Sequence, residues 1–192
     1  MIASTLTLDT TAMHQFTVYD AYAIHRVVYD LFPGTKRNFL YYHYPQASNR
    51  GTRILILSET QPLLPFSGSL ESKFVQNSFL EHNHYAFKVR LNPVIRTQEK
   101  ARSILRQDEL IQWFAKKQSN WGFHADIARL ELSNEGVIEI KGKEGSMVFN
   151  ECTFTGVLEV VDRKSFIKSF CEGIGRGKAF GFGLLQLLPL YE

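Results

Sequence analysis

The sequence predicts an α+β protein built from two tandem modules, each with the order β-α-β-β-α-β. Three observations carry this. Short alternating apolar stretches recur through both halves, at residues 2–8, 39–44, 53–58, 85–91, 137–140, 147–161 and 182–188. Unambiguous helical spacing occurs near 20–32, 108–118 and 162–172. A polar, basic stretch at 93–107 divides the chain, as a solvated linker or equally as a basic arm over a nucleic acid. The expected division is therefore a module at 1–92, a linker at 93–107 and a second module at 108–192. The halves share no convincing sequence identity, so the repeat is one of architecture.

The first strand is the alternation of Ile2, Ser4, Leu6 and Leu8, followed by a loop of Thr, Asp and His. Asp20 is placed to cap a helix that Pro33-Gly34 ends. Ile24, Val27, Val28 and Leu31 form its buried stripe. At about 100° per residue, Tyr22, His25 and Tyr29 share the shoulder beside that stripe. They make either a candidate site or a border of amphipathic side chains with wet tips. Residues 39–44 and 53–58 read as strands around a polar turn at 46–52, and 62–68 as a loop. Residues 73–80 fit strand and helix equally. Tyr85, Phe87, Val89 and Leu91 alternate as a strand ended by Asn92-Pro93. His82 and His84 have no matching ligand cluster and read as a solvated turn.

In the second half, Leu110, Ile111 and Phe114 point a helix inward, and residues 121–132 contain a strand. Residues 137–140 and 147–161 pair around a turn at 142–145. Asp162 caps a helix through Glu172 with Phe166, Ile167, Phe170, Cys171 and Ile174 on one face. Cys171 reads as a buried thiol. A last strand covers 182–188.

Five of the chain's 13 glycines fall in residues 173–183, GIGRGKAFGFG, together with Arg176 and Lys178. Clustered glycines let backbone N–H groups form an anion-binding concavity, and two cations inside it point to phosphate. A plain turn between helix and strand is the other reading. Glu172 and Ala179 stand where a P-loop needs Gly and Ser or Thr, and the glycine spacing and helix-then-strand order do not fit a dinucleotide fingerprint. A polyphosphate backbone is left as the target.

The totals agree with an RNA partner without demanding one. The net charge is +3 and 44% of residues are hydrophobic. Cys152 and Cys171 belong to no C-x-x-C, which argues for a reducing compartment and against a cysteine zinc site. The N-terminus lacks the pattern of a signal peptide, and no apolar run reaches membrane-spanning length. A cytoplasmic protein is expected. Basic candidates for phosphate contact are Lys36, Arg37, Arg96, Lys100, Arg102, Arg106, Arg176 and Lys178.

The C-terminal GIGRGKAFGFGLLQLLPL resembles the signature of the CRISPR-associated repeat-RNA endoribonucleases, and more narrowly the CasE branch that serves Cascade-type complexes. YAIHRVVYDLFP at 22–33, followed by RNFLYY, resembles that branch's catalytic segment, and RLNPVIRT at 90–97 a weaker third one. The resemblance implies two tandem ferredoxin-like domains and cleavage of precursor CRISPR RNA at the base of a repeat hairpin. It places His25 on the family's catalytic histidine, Tyr22 on its partner, Lys178 on the loop lysine and Arg176 on a stem-contacting position. It implies a subunit that keeps its hairpin and joins backbone and 5′-end-capping subunits, with no membrane partner.

Such cleavage uses the RNA's own 2′-OH as nucleophile and leaves a 2′,3′-cyclic phosphate and a 5′-OH. A histidine, with a reference pKa of about 6.5, suits the proton transfers. A lysine or backbone N–H groups suit the developing charge. His25 is then general base on the 2′-OH or general acid on the 5′-oxygen, Tyr22 positions the phosphate or nucleophile, and Lys178 stabilises charge. Gly173, Gly175 and Gly177 would approach the RNA backbone. No metal or cofactor is expected. A non-catalytic hairpin-binding subunit, or a scaffold or small-molecule enzyme of the same fold, are the competing functions.

Overall fold

The computed structural model describes residues 1–34, 36–44, 51–96, 101–104, 106–142 and 145–191, with only the backbone described at 95, 96, 101–103, 134, 135 and 142. The chain forms two sheet-and-helix units. The first holds β1 (Ile2–Leu8), α1 (Thr10–Gln15), α2 (Ala21–Asp30), β2 (Phe39–Tyr44), β3 (Thr52–Ser58) and β4 (Ser69–Phe74). Its sheet runs β2-β3-β1-β4, with antiparallel registers such as Ile2 opposite Ser58 and Ile2 opposite Phe74.

The second unit begins with β5 (His84–Leu91). A two-stranded ribbon follows, β6 (Val94–Arg96) with β7 (Ala101–Ser103). Then come α3 (Gln107–Lys117), β8 (Phe123–Ala125), the long hairpin of β9 (Glu131–Gly142) and β10 (Gly145–Val160), α4 (Arg163–Glu172) and β11 (Gln186–Pro189). Its sheet runs β11-β5-β10-β8, with β9 alongside β10. Counting β5, β8, β10 and β11 as its four main strands, both units have the spatial order 4-1-3-2. This is the ferredoxin-like arrangement, present twice.

That order corrects the expected division. β5 pairs with β10 and β11, so it is the first strand of the second sheet rather than the last of the first module. Residues 93–107 are not a connection between modules. Of the described ones, 94–96 pair with 101–103 as the ribbon after β5, and Ile104 is buried beside Leu91 and Leu110 in the second core. Residues 77–80 form a 3-10 turn after β4. The segment expected as a loop after β1 contains α1, capped by the Asp9 carboxylate on the Ala12 amide at 2.7 Å. Most of the expected 46–52 turn lies outside the described residues.

β2 is buried on both faces, which joins the units. Phe39 and Tyr41 pack under α2 with Leu6, Leu8, Ile54 and Ile56. Leu40 and Tyr42 point the other way, onto Phe170 and Leu184 of the second unit. Of the α4 positions expected to be buried, Phe166, Phe170 and Ile174 are, whereas Ile167 is exposed and Cys171 half-buried, its thiol pKa raised by that burial. No helix among the described residues is long and apolar enough to cross a membrane.

Candidate active site

The site begins with the start of α2. Asp20 takes an extended backbone and its carboxylate accepts the Ala23 amide at 2.7 Å, which satisfies an otherwise orphaned donor. Ile24, Val27 and Val28 then face the core. The 3.6-residue period leaves Tyr22, His25 and Tyr29 half-buried on the adjoining shoulder. The rings are in contact: His25 lies 5.6 Å from Tyr22 and 4.1 Å from Tyr29, centroid to centroid.

The glycine loop closes over this stripe from the second unit. His25 Nδ1 is 2.8 Å from the Ala179 carbonyl oxygen, and Phe180 stacks on the imidazole at 4.8 Å. A carbonyl oxygen only accepts, so Nδ1 carries the hydrogen of this bond. Nε2 is thereby the nitrogen available for proton exchange with a substrate. Tyr41 Oη donates to the same Ala179 oxygen at 3.1 Å.

Lys178 sits one residue before that carbonyl, in the turn Lys178–Phe180. Its Nζ donates to the Glu172 carbonyl at the end of α4, at 2.8 Å. Burial and the charge of Arg37 lower the Lys178 pKa, opposed by Glu172. Arg37 also opposes the upward shift that burial gives the Tyr29 hydroxyl. Arg37 of the first unit thus acts electrostatically on both Tyr29 of the stripe and Lys178 of the loop, while the Lys178 ammonium itself is held at the end of α4.

The loop glycines all have positive φ, and close packing explains the tightest of them. A Cβ on Gly183 would stand 2.2 Å from the Ile174 carbonyl oxygen, and one on Gly181 would meet the Arg90 guanidinium at 2.7 Å and the Tyr41 ring at 2.9 Å. The amides of Ile174 and Gly183 are used within the fold, on Gly183 and Arg90 carbonyls at 2.9 and 2.8 Å. Gly173 is buried under the loop; Gly175 is exposed and Gly177 half-buried.

The other basic candidates are dispersed. Arg176 is exposed and, with Gly175, lines a separate cleft of about 630 Å³ with Asn92, Trp113, Lys117 and Trp121. Lys36 is exposed beside Arg37. Arg106 holds Asp108 through two bonds of 2.9 and 3.1 Å, so its charge is paired. Arg96 and Arg102 are on the β6–β7 ribbon, where only the backbone is described, and Lys100 lies outside the described residues. A larger apolar cleft of about 660 Å³ lies between the sheets, lined by residues such as Leu57, Phe74, Phe79 and Tyr191, and takes no part in this stripe.

Residues 1–189 match the family described as CRISPR associated protein. The chain belongs to that family. It is 25% identical over 188 residues to the CRISPR system Cascade subunit CasE of Escherichia coli (strain K12), covering 89% of this chain and 93% of the relative. Among solved structures it is similar to the CRISPR endoribonuclease Cse3 bound to a 19-nucleotide RNA (TM-score 0.81, 20% identity, 98% of this chain and all of that one). It is also similar to the CRISPR-associated protein Cas6e from Escherichia coli str. K-12 (TM-score 0.77, 22% identity, 99% and 100%). These likenesses establish a shared fold across 98–99% of the chain.

In this CRISPR-associated protein the sequence pattern identifies the α2 stripe and the glycine loop but not what binds them. Tyr41, Arg90 and the Ala179 carbonyl carry no local signal: each acquires its partner only when β2, β5 and the loop meet. Among the described residues no three or more His, Cys, Asp or Glu side chains cluster as a metal site would require. What the stripe can offer chemically is an oriented imidazole and phenolic hydroxyls, with the Arg37 charge acting on Tyr29.

Proposed function

We propose that this protein is an endoribonuclease that cuts precursor CRISPR RNA at the base of a repeat hairpin and then keeps the hairpin as a subunit of a Cascade-type complex. The family, the Cascade subunit relative and the RNA-bound structural neighbour support this reading. The observation that carries it is the Nδ1 hydrogen bond from His25 to the Ala179 carbonyl. It brings the imidazole of one unit against the cationic loop of the other.

The reaction is a metal-independent transesterification. The substrate 2′-oxygen forms a bond to the adjacent phosphorus, and the bond from phosphorus to the 5′-oxygen breaks. A proton leaves the 2′-OH and another reaches the 5′-oxygen, giving a 2′,3′-cyclic phosphate and a 5′-OH. His25 Nε2 performs one of these transfers, as base on the 2′-OH or as acid on the leaving oxygen. Tyr22 orients the phosphate or nucleophile. Lys178 stabilises charge on the phosphorane by leaving the Glu172 carbonyl for the phosphate, with Arg37 beside it. Arg176, Lys36, Arg96, Lys100 and Arg102 provide phosphate contacts around the stem, and Gly173, Gly175 and Gly177 keep the loop narrow enough to approach it. Arg106, held by Asp108, contributes least.

A hairpin carrying hydrogen in place of the 2′-OH at the scissile nucleotide tests the reaction, with the native hairpin cut in EDTA alongside it. The native RNA is expected to be cleaved to a cyclic phosphate in EDTA and the deoxy substrate to be bound but left whole. Cutting of the deoxy substrate, or a requirement for added Mg²⁺, would overturn the mechanism.

A further inference from the structure

A charge pair, with Arg90 buried and Glu151 half-buried, lies against the loop that holds His25, and the mechanism above does not use it. Arg90, on β5, is 8% exposed. Its Nη1 meets Glu151 Oε1 at 2.7 Å. Its Nε and Nη2 both donate to the Gly181 carbonyl, at 3.3 and 3.0 Å. The guanidinium carbon lies 5.1 Å from the Tyr42 ring centroid and 5.0 Å from that of Phe182, an aromatic partner from each unit. The Arg90 backbone carbonyl accepts the Gly183 amide. One residue therefore grips the loop at 181 through its side chain and at 183 through its main chain.

Burying the Arg90 guanidinium carries a desolvation penalty that an apolar side chain of similar volume would avoid, so stability alone explains it poorly. Its geometry explains it better. The planar fork of arginine holds a carboxylate through one nitrogen and grips a carbonyl with the other two in fixed geometry, which the single ammonium of lysine reproduces only in part and methionine not at all. Gly181 closes the turn Lys178–Phe180 with left-handed geometry, φ +81°. The Ala179 carbonyl within that turn receives both His25 Nδ1 and Tyr41 Oη. The direction of that carbonyl decides which imidazole nitrogen carries hydrogen, and so which one meets the RNA.

We infer that Arg90, held in place by Glu151, is a positioning residue for His25: by fixing the Gly181 carbonyl it aims the Ala179 carbonyl, which locks His25 in its Nδ1–H form. Arg90 touches no reacting atom. The inference rests on the nuclease reading for its effect on rate, but the imidazole orientation can be read without any cleavage.

The test uses the full chain labelled with ¹⁵N. Long-range ¹H–¹⁵N imidazole spectra, with His25 assigned by its loss in His25→Asn, report which ring nitrogen is protonated. Single-turnover cleavage at saturating hairpin and the Kd for the 2′-deoxy hairpin are measured in parallel. In Arg90→Met, His25 is expected to shift from Nδ1–H toward a mixture of tautomers. Cleavage is expected to fall by about 30-fold, by analogy with the roughly 10–100-fold lost when a partner that orients a metal-ligating imidazole is removed. The deoxy-hairpin Kd is expected to stay within about 3-fold. Arg90→Lys restores part of the rate, and Glu151→Gln falls between wild type and Arg90→Met. A wild-type imidazole pattern in folded Arg90→Met overturns the inference, even if the rate falls, because the loss would not run through His25. If Arg90→Met does not fold, Glu151→Gln decides on the same readouts. If the wild-type protein cuts no RNA, the nuclease reading fails while the tautomer shift still upholds or overturns the role of Arg90.

Discussion

The two units have the same strand order but contribute opposite things to the site. The first supplies side chains from a regular element: Tyr22, His25 and Tyr29 along α2. The second supplies mostly backbone, the Ala179 carbonyl on an irregular loop, with Lys178 beside it. They also differ in completeness. α3 and α4 cover the second sheet, whereas residues 59–68 of the first unit, where a second helix would stand, hold none. Helical geometry places titratable groups reproducibly, while a carbonyl can be aimed at will only by a loop whose every turn is pinned. The largest effects should therefore come from the helix side chain, and the loop should be sensitive to shape before charge.

His25→Ala breaks the comparison most sharply. Cleavage of a repeat hairpin is expected to fall by about 10²–10⁴-fold, the range for a lost proton-transfer group, with binding of the uncut hairpin preserved. A filter-binding assay beside a single-turnover gel assay checks this. If binding fell with cleavage, α2 would be part of the RNA platform and the division of labour between units would be wrong.

The loop's dependence on shape is tested by Gly183→Ala. The positive φ and the 2.2 Å approach of a Cβ to the Ile174 oxygen predict a loss of about 3 kcal/mol in urea unfolding. Gly136→Ala is the control: its φ is +87° but an added Cβ meets nothing within 4 Å. It should cost about 1 kcal/mol, from backbone strain alone. Equal losses at the two positions would show that packing around Gly183 does not hold the loop.

Charge on the loop comes next. Lys178→Met is expected to lower single-turnover cleavage by about 10²-fold. The sign of its pH dependence follows from its surroundings. Burial and Arg37 lower the Lys178 pKa, so the ammonium is favoured less than in a free lysine and loses its proton below the ordinary value of about 10.4. Cleavage should therefore decline on the alkaline side below that pH. Lys178→Arg, charged throughout the range, should move the decline upward. An alkaline limb identical in Lys178→Arg would assign it to another group.

What was legible in the sequence follows the same split. The Asp20 cap, the stripe of Ile24, Val27, Val28 and Leu31, and the shoulder of Tyr22, His25 and Tyr29 all depend on neighbours within two turns, and spacing recovers them. α1, of six residues, is too short to show a period. The alternation of Tyr85, Phe87, Val89 and Leu91 identifies a strand but not its sheet, because its partners Cys152 to Leu158 and Leu187 lie far along the chain. Glycine density marked the loop and suggested an anion cradle; it could not show that Gly181 and Gly183 are small because Tyr41, Arg90 and Ile174 press on them. Likewise the resemblance pointed to Lys178 but not to its hold on the Glu172 carbonyl.

The smallest effect separates the units most cleanly, because the same kind of interaction occurs in both. Asp20 caps α2 through the Ala23 amide, and Asp162 caps α4 through the Lys164 and Ser165 amides and the Ser165 hydroxyl. Asp20→Ala is expected to cost about 1 kcal/mol of stability. It should also lower cleavage several-fold, since Tyr22 and His25 lie in the first turns after the cap and fraying there moves both. Asp162→Ala should lower the melting midpoint but leave cleavage unchanged, because Glu172 and the loop lie at the other end of α4. Melting curves and single-turnover rates for the two variants decide it. A cleavage defect in Asp162→Ala equal to that in Asp20→Ala would mean that the loop is set by the whole of α4 and not by its contacts with Arg90, Tyr41 and His25.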